Sequence, residues 1–310
     1  MSSTFFTRHK GEILTTAGAT FFAFNGVIAK LVLAGGLSAW RLTQIRCIGA
    51  FLILGSIVFI TARQSLKFSK REIPALLLYG AVGYAAVQVF YFLSISLLHV
   101  SIALIIEFTA PIWIVLWIRY VRKAQVPPLM WGAIALALLG LALVAQIWKG
   151  ATLNGWGVIW AIVDALALAV YFLVGEKLLV NRQPRALTVL GLGVAAILWA
   201  ITQPLWNFPV AILTQSIELQ GNFAGKYLPG WVLILWIIVM GTIVPYLLVL
   251  SGLKELSAST SSVIGMSEPI FAGIFAFAWL QESFTLIQLL GAAVVLTGIY
   301  YADKARIAAH

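Results

Sequence analysis

Between Ile13 and Tyr301 the chain repeats one pattern, an apolar run of about twenty residues followed by a short polar or basic break. A helix of about twenty residues matches the hydrocarbon thickness of a bilayer. Ten such windows fit, near 12–34, 39–61, 73–95, 100–119, 127–147, 155–177, 186–206, 230–252, 258–279 and 284–302. The two-residue alternation of a membrane barrel is missing from them, so each reads as a helix that satisfies its own backbone in lipid. The expected fold class is all-α integral membrane, with ten transmembrane helices. Of the 310 residues, 62% are hydrophobic and 10% are charged. A soluble domain carries about a quarter charged residues, so no room remains for one of ordinary size.

The net charge of +10 does not point to nucleic acid, because the cations sit in short loops between apolar runs. Arg8 and Lys10 precede the first span. Arg63, Lys67, Lys70 and Arg71 follow the second, Arg119, Arg122 and Lys123 the fourth, and Lys177, Arg182 and Arg185 the sixth. Lys254 follows the eighth, and Lys304 and Arg306 follow the tenth. The opposite side has Lys149 and Lys226. The positive-inside rule then places both termini in the cytoplasm, in a multi-pass protein of the cell membrane. The first run, 13–33, is too long for a secretory signal core of about 7–15 residues, so it is expected to stay as a span. The segment 207–228 falls outside and reads as a mobile surface loop. Trp131, Trp148, Trp156, Trp206 and Trp231 lie near span ends, as in an aromatic belt. Cys47 is the single cysteine, which excludes an internal disulfide and a cysteine-rich metal site.

Two spans break the pattern. Residues 100–119, VSIALIIEFTAPIWIVLWIR, hold Glu107 and, four residues on, Pro111. A charge at that depth is costly, and proline leaves the carbonyl four residues back, that of Glu107, without its donor. Residues 257–280, SASTSSVIGMSEPIFAGIFAFAWL, place Glu268 directly before Pro269. Interrupted helices at matching positions in two halves point to a transporter's binding site.

The halves repeat. FNGVIAKLVL (24–33) resembles YFLVGEKLLV (171–180), Ile73-Pro74 resembles Leu228-Pro229, and Pro111-Ile112 matches Pro269-Ile270. Gly132 and Gly140 resemble Gly291 and Gly298. The division falls near Gly150, giving halves 1–149 and 150–310 of five spans each. An odd number of spans makes the second half enter from the opposite face, so the repeats are inverted, a plan suited to alternating access.

On these residues the sequence resembles the EamA-type carriers of the drug/metabolite transporter superfamily. The clearest block is 267–298, SEPIFAGIFAFAWLQESFTLIQLLGAAVVLTG, with Glu268, Pro269, Glu282, Gln288, Gly291 and Gly298 at matching positions. EFTAP at 107–111 and VPY at 244–246 resemble the subgroup that includes threonine/homoserine exporters. Ala124 stands where Glu282 would align in the first half, so Glu282 receives no transport role. The resemblance implies two EamA-like repeats and a secondary transporter of small metabolites. An amino-acid exporter working by alternating access is the expected activity, with proton coupling as one option. Drugs, nucleosides or other metabolites in the same fold, or a channel, are the alternatives.

The candidate substrate-binding residues are Glu107, Asp164 and Glu268, joined by Asn25, Gln88, Tyr84, Tyr171 and Tyr246. Acids within spans default to function. Their alternative role, and that of the uncharged polar residues, is hydrogen bonding between helices. Tyr91, Trp113 and Trp117 are further aromatic cavity candidates. Pro111, Pro245 and Pro269 are candidate hinges. Lys30 can snorkel outward, and Arg46, deeper in its span, can pair with an acid. His99 sits at a loop edge. A P-loop, HExxH and GxSxG are all missing from the sequence, so no catalytic residue, cofactor or metal is expected. The expected partners are a small-molecule substrate, the lipid bilayer and, under the coupled option, protons; oligomeric state is left open.

Overall fold

The computed structural model describes residues 9–95, 97–98, 100–146, 148, 154–280 and 285–307. Arg8, His99, Lys149, Gly150 and Glu282 lie outside the described residues. Among the described residues, ten helical stretches are long and apolar enough to cross a membrane. They run Lys10–Ala34, Ala39–Leu66, Lys70–Ser94, Ala103–Val121, Pro128–Ala145, Gly155–Leu179, Pro184–Thr202, Gly230–Glu255, Ala258–Trp279 and Leu286–Ala305. All ten overlap the windows read from the sequence, and we number them as spans one to ten. Lipid is the natural partner of the many large apolar side chains they expose, among them Ile60, Val180 and Ile201. Trp131, Trp148, Trp156, Trp206 and Trp231 are exposed near span ends, as an aromatic belt requires.

The spans pack in pairs that cross the halves: one against eight and nine, two against seven, three and four against six, and five against ten. Glycine permits the closest approaches. A Cβ on Gly140 would lie 2.6 Å from the Val295 nitrogen and 2.7 Å from the Gly291 carbonyl. One on Gly291 would lie 2.8 Å from the Gly140 carbonyl. Spans five and ten therefore touch backbone to backbone, as small residues allow in membranes. Gly132, by contrast, faces open space.

Spans four and nine break as expected. Span four is helical over Val100–Glu107, turns at Phe108 and Thr109, and resumes over Ala110–Leu116. Span nine runs Ala258–Gly265, turns at Met266 and Ser267, and resumes over Glu268–Leu280. Spans three and eight carry π-helical turns, Ala81–Ala86 and Val239–Ile243, each flanked by α-helix. In span eight Pro245 follows the turn by two residues, and a π turn accommodates a proline's missing donor.

The segment expected to be a surface loop carries a small hairpin. Strand β1, Ser216–Glu218, pairs antiparallel with β2, Tyr227–Pro229. Ile212, Ile217 and Leu219 are buried. The Trp279 indole N–H donates to the Leu219 carbonyl at 2.8 Å, and Gln215 Nε2 donates to the Gly35 carbonyl at 3.1 Å. The polar composition that suggested a free loop supplies bonds to the ends of spans one and nine.

Candidate functional site

The two breaks share one internal geometry. Thr109 N–H and its hydroxyl both donate to the Ile106 carbonyl, at 3.0 and 2.6 Å. Ser267 N–H and its hydroxyl both donate to the Ile264 carbonyl, at 3.0 and 2.7 Å. Ile112 N–H then reaches the Thr109 carbonyl at 2.8 Å, and Ile270 N–H the Ser267 carbonyl at 3.1 Å. A side-chain hydroxyl thus competes for the helix's own acceptors, which favours a stop, and the proline two residues on starts the next half-helix. The signal stood in the sequence as IEFTAPI (106–112) and IGMSEPI (264–270), an Ile-x-x-Thr/Ser-x-Pro-Ile repeat that the proline match alone had only touched.

Register fixes the acids relative to these breaks. With Pro111 opposite Pro269, Glu107 stands opposite Gly265 and Glu268 opposite Ala110. Glu107 is the last residue of its half-helix and Glu268 the first of its own. The positive end of a helix dipole lies at Glu268 and the negative end at Glu107, so a charge on the two carboxylates is met differently.

Asp164 comes from span six, which packs on both halves of span four and on Ala258–Gly265. It is 0% exposed, and both carboxylate oxygens are buried without a hydrogen-bond partner. Buried polar groups are nearly always paired, so an orphaned carboxylate calls for a functional explanation. Glu107 interacts electrostatically with Glu268 and with Asp164, and Tyr91 with all three acids. Glu107 therefore lies within electrostatic reach of both Asp164 and Glu268.

Arg46 of span two is the cation of this centre. It was expected to pair with an acid; its hydrogen bonds go to Thr242 Oγ1 (3.1 Å) and the Gly241 carbonyl (3.2 Å). It nonetheless interacts electrostatically with Glu268 and Tyr246. Thr242 in turn donates to the Ile237 carbonyl, five residues back across the π turn. Asn25 is buried against that turn, with Oδ1 unpartnered, and a Cβ on Gly241 would come within 2.6 Å of Asn25 Cγ. Gly241 and Thr242 escaped the sequence reading because a π turn has no firm compositional mark.

The tyrosines form a second group beside the acids. Tyr84 of span three, Tyr171 of span six and Tyr246 of span eight pack ring to ring, with centroids 4.4 to 5.9 Å apart. Tyr79, missed from the sequence, stacks on Tyr171 at 5.6 Å. The hydroxyls of Tyr79, Tyr84 and Tyr171 are buried, and none closes a hydrogen bond of normal geometry. Gln88 donates to the Tyr84 carbonyl at 3.0 Å and leaves Oε1 buried and unpartnered. Away from this centre, His9, Glu12 and Asp303 bring possible ligand atoms within 4.8 Å of one another. Pairing of a histidine with carboxylates accounts for that grouping as well as a metal would.

Ten membrane-crossing helices, two of them broken at matching points beside half-buried glutamates, define a membrane transporter. A sequence profile of the EamA-like transporter family matches residues 9–146 and again 155–302. The chain belongs to that family. An inner membrane transporter of Salmonella typhimurium, YicL, itself uncharacterized, is 24% identical over 295 residues, 94% of each chain. The threonine/homoserine exporter RhtA of Escherichia coli is 26% identical over 272 residues, 86% of this chain and 80% of that one. A solved crystal structure superposes with a TM-score of 0.76 at 13% identity, covering 97% of this chain and 99% of the other. At that identity the likeness speaks to the fold alone.

Proposed function

We propose that this protein exports a small amino acid across the cytoplasmic membrane by alternating access, with the substrate bound between halves 1–149 and 150–310. The observation that carries the reading is the fully buried carboxylate of Asp164, which has no hydrogen-bond partner among the described residues and interacts electrostatically with Glu107, as Glu107 does with Glu268. A substrate ammonium would satisfy those acids, while Arg46, which interacts electrostatically with Glu268, supplies the opposite charge for a substrate carboxylate. Asn25, Gln88, Tyr84, Tyr171 and Tyr246 add polar and aromatic surface for the remainder of the molecule. Pro111, Pro245 and Pro269 are the proposed hinges, each at the start of a half-helix that follows a break or a π turn.

The similarity to a threonine/homoserine exporter favours a short hydroxylated amino acid over a drug or nucleoside. Both termini are proposed to be cytoplasmic from the distribution of Lys and Arg. Exchange of protons at the three acids is a second element of the proposal, since intramembrane carboxylates commonly serve as proton relays. The test is efflux from cells preloaded with labelled threonine, homoserine, a nucleoside or an organic cation. Faster efflux of the amino acids alone, abolished in Asp164→Asn, supports the reading. Efflux of the nucleoside or the cation in their place would overturn the substrate class.

A further inference from the structure

We propose that Glu176 is a positioning residue that clasps the ends of both broken helices onto span six. Its carboxylate divides its two oxygens between them. Oε1 accepts the N–H of Ala258, the first residue of span nine's leading half-helix, at 2.7 Å. Oε2 accepts from the Arg122 guanidinium, directly after the π-helical end of span four, and Arg122 also donates to the Leu173 carbonyl at 3.4 Å. Glu176 is three residues from the end of span six, the helix that carries Asp164. Twelve residues separate the two, about 18 Å along the axis. One side chain therefore holds spans four, six and nine together at one end of the molecule, and those three spans supply Glu107, Asp164 and Glu268.

Ion pairs are gathered around this clasp. Among the described residues, ion pairs join Lys10 to Glu255, Arg122 to Glu176 and Arg182 to Glu72. All three lie at the end bearing the basic loops, and each joins a residue before 150 to one after it. Lys10–Glu255 is exposed, where an ion pair contributes little. Arg182, itself buried, holds the loops after spans two and six and touches neither broken helix. At the other end, cross-half bonds run from Arg41 to the Pro204 carbonyl at 2.9 Å and from Gln215 to the Gly35 carbonyl. Charge-assisted bonds are shorter and stronger than neutral ones, and a shared carboxylate releases both partners together. Opening this end to substrate therefore requires Glu176 to let go of Arg122 and Ala258. The inference rests on the alternating-access reading but needs no particular substrate.

The test is the labelling rate of a cysteine placed at Ser261, which is fully buried one turn beyond Ala258. The full-length protein in lipid nanodiscs carries Cys47→Ala, removing its one native thiol, together with Ser261→Cys. Glu176→Gln should raise the rate of maleimide labelling about tenfold, and Arg122→Gln, which breaks a partly exposed pair and leaves the Ala258 bond, by about three- to fivefold. Arg122→Lys, which keeps the charge, should restore most of the protection, and Lys10→Gln should change the rate less than about twofold. Wild-type rates in both Glu176→Gln and Arg122→Gln would overturn the clasp, as would an equal rise in Lys10→Gln. If Glu176→Gln fails to fold, Arg122→Gln decides. A labelling rise in a protein that moves no amino acid would uphold the clasp and count against the substrate alone.

Discussion

Asp164 is the residue whose surroundings least resemble a structural role. A carboxylate kept only for packing would have a donor on a neighbouring helix, and this one has none. Its retention should therefore cost stability, as functional polar groups in apolar surroundings commonly do. Asp164→Asn keeps the shape and removes the charge. We expect its melting temperature to equal or exceed wild type by a few degrees, while transport falls more than about tenfold. Differential scanning fluorimetry beside a flux assay reads both, and a variant that melts lower with flux intact would return Asp164 to structure. Glu107 and Glu268 differ from it in position. They flank their breaks from opposite sides, so they meet opposite ends of helix dipoles and should not be interchangeable.

At the scale of elements, the breaks in spans four and nine depend on a hydroxyl and a proline in series. Pro111→Ala returns a donor to the Glu107 carbonyl but leaves Thr109 bonded to Ile106. The helix should become easier to straighten, and we expect slower turnover with half-saturation changed less than about twofold, read from initial flux against concentration. Unchanged turnover would make the kink static. Spans five and ten test packing in the same way. Gly140→Val would push a side chain into the Val295 nitrogen and the Gly291 carbonyl, at a cost of about 1–3 kcal/mol or more. Thermal unfolding should shift down by several degrees, and Gly132→Val, facing open space, should leave it near wild type.

The elements also show where sequence reading reaches and where it stops. Span number and the two proline breaks were legible because run length and a missing N–H act locally. Glu107, Asp164 and Glu268 were legible as one candidate set because an acid inside an apolar run stands out locally, but which of them keeps an unpartnered carboxylate was not. The π turns around Tyr84 and Thr242, the Tyr79 stack and the Glu176 clasp depend on contacts between distant residues. The pairing of the 216–229 hairpin was not legible for the same reason: its polar groups find partners at Gly35 and on span nine.

At the scale of the whole molecule, the proposed arrangement is two five-span halves around the acids of spans four, six and nine. The ion pairs Lys10–Glu255, Arg122–Glu176 and Arg182–Glu72 lie at one end, and a small hairpin lies at the other. Helices that pair across the halves, one with eight, two with seven and five with ten, give a frame on which the broken spans four and nine can shift. A substrate speeds that shift only if it binds the intermediate states better than the resting ones. The central claim is that the acids at the breaks bind an amino acid during exchange. Counterflow in proteoliposomes tests it most directly, with unlabelled threonine inside and labelled threonine outside, for wild type, Glu107→Gln and Asp164→Asn. The account predicts saturable accumulation of label in the wild type and its loss, by more than about tenfold, in Asp164→Asn, with Glu107→Gln reduced as well. Equal, saturable counterflow in all three proteins would contradict it and move the binding site away from the breaks.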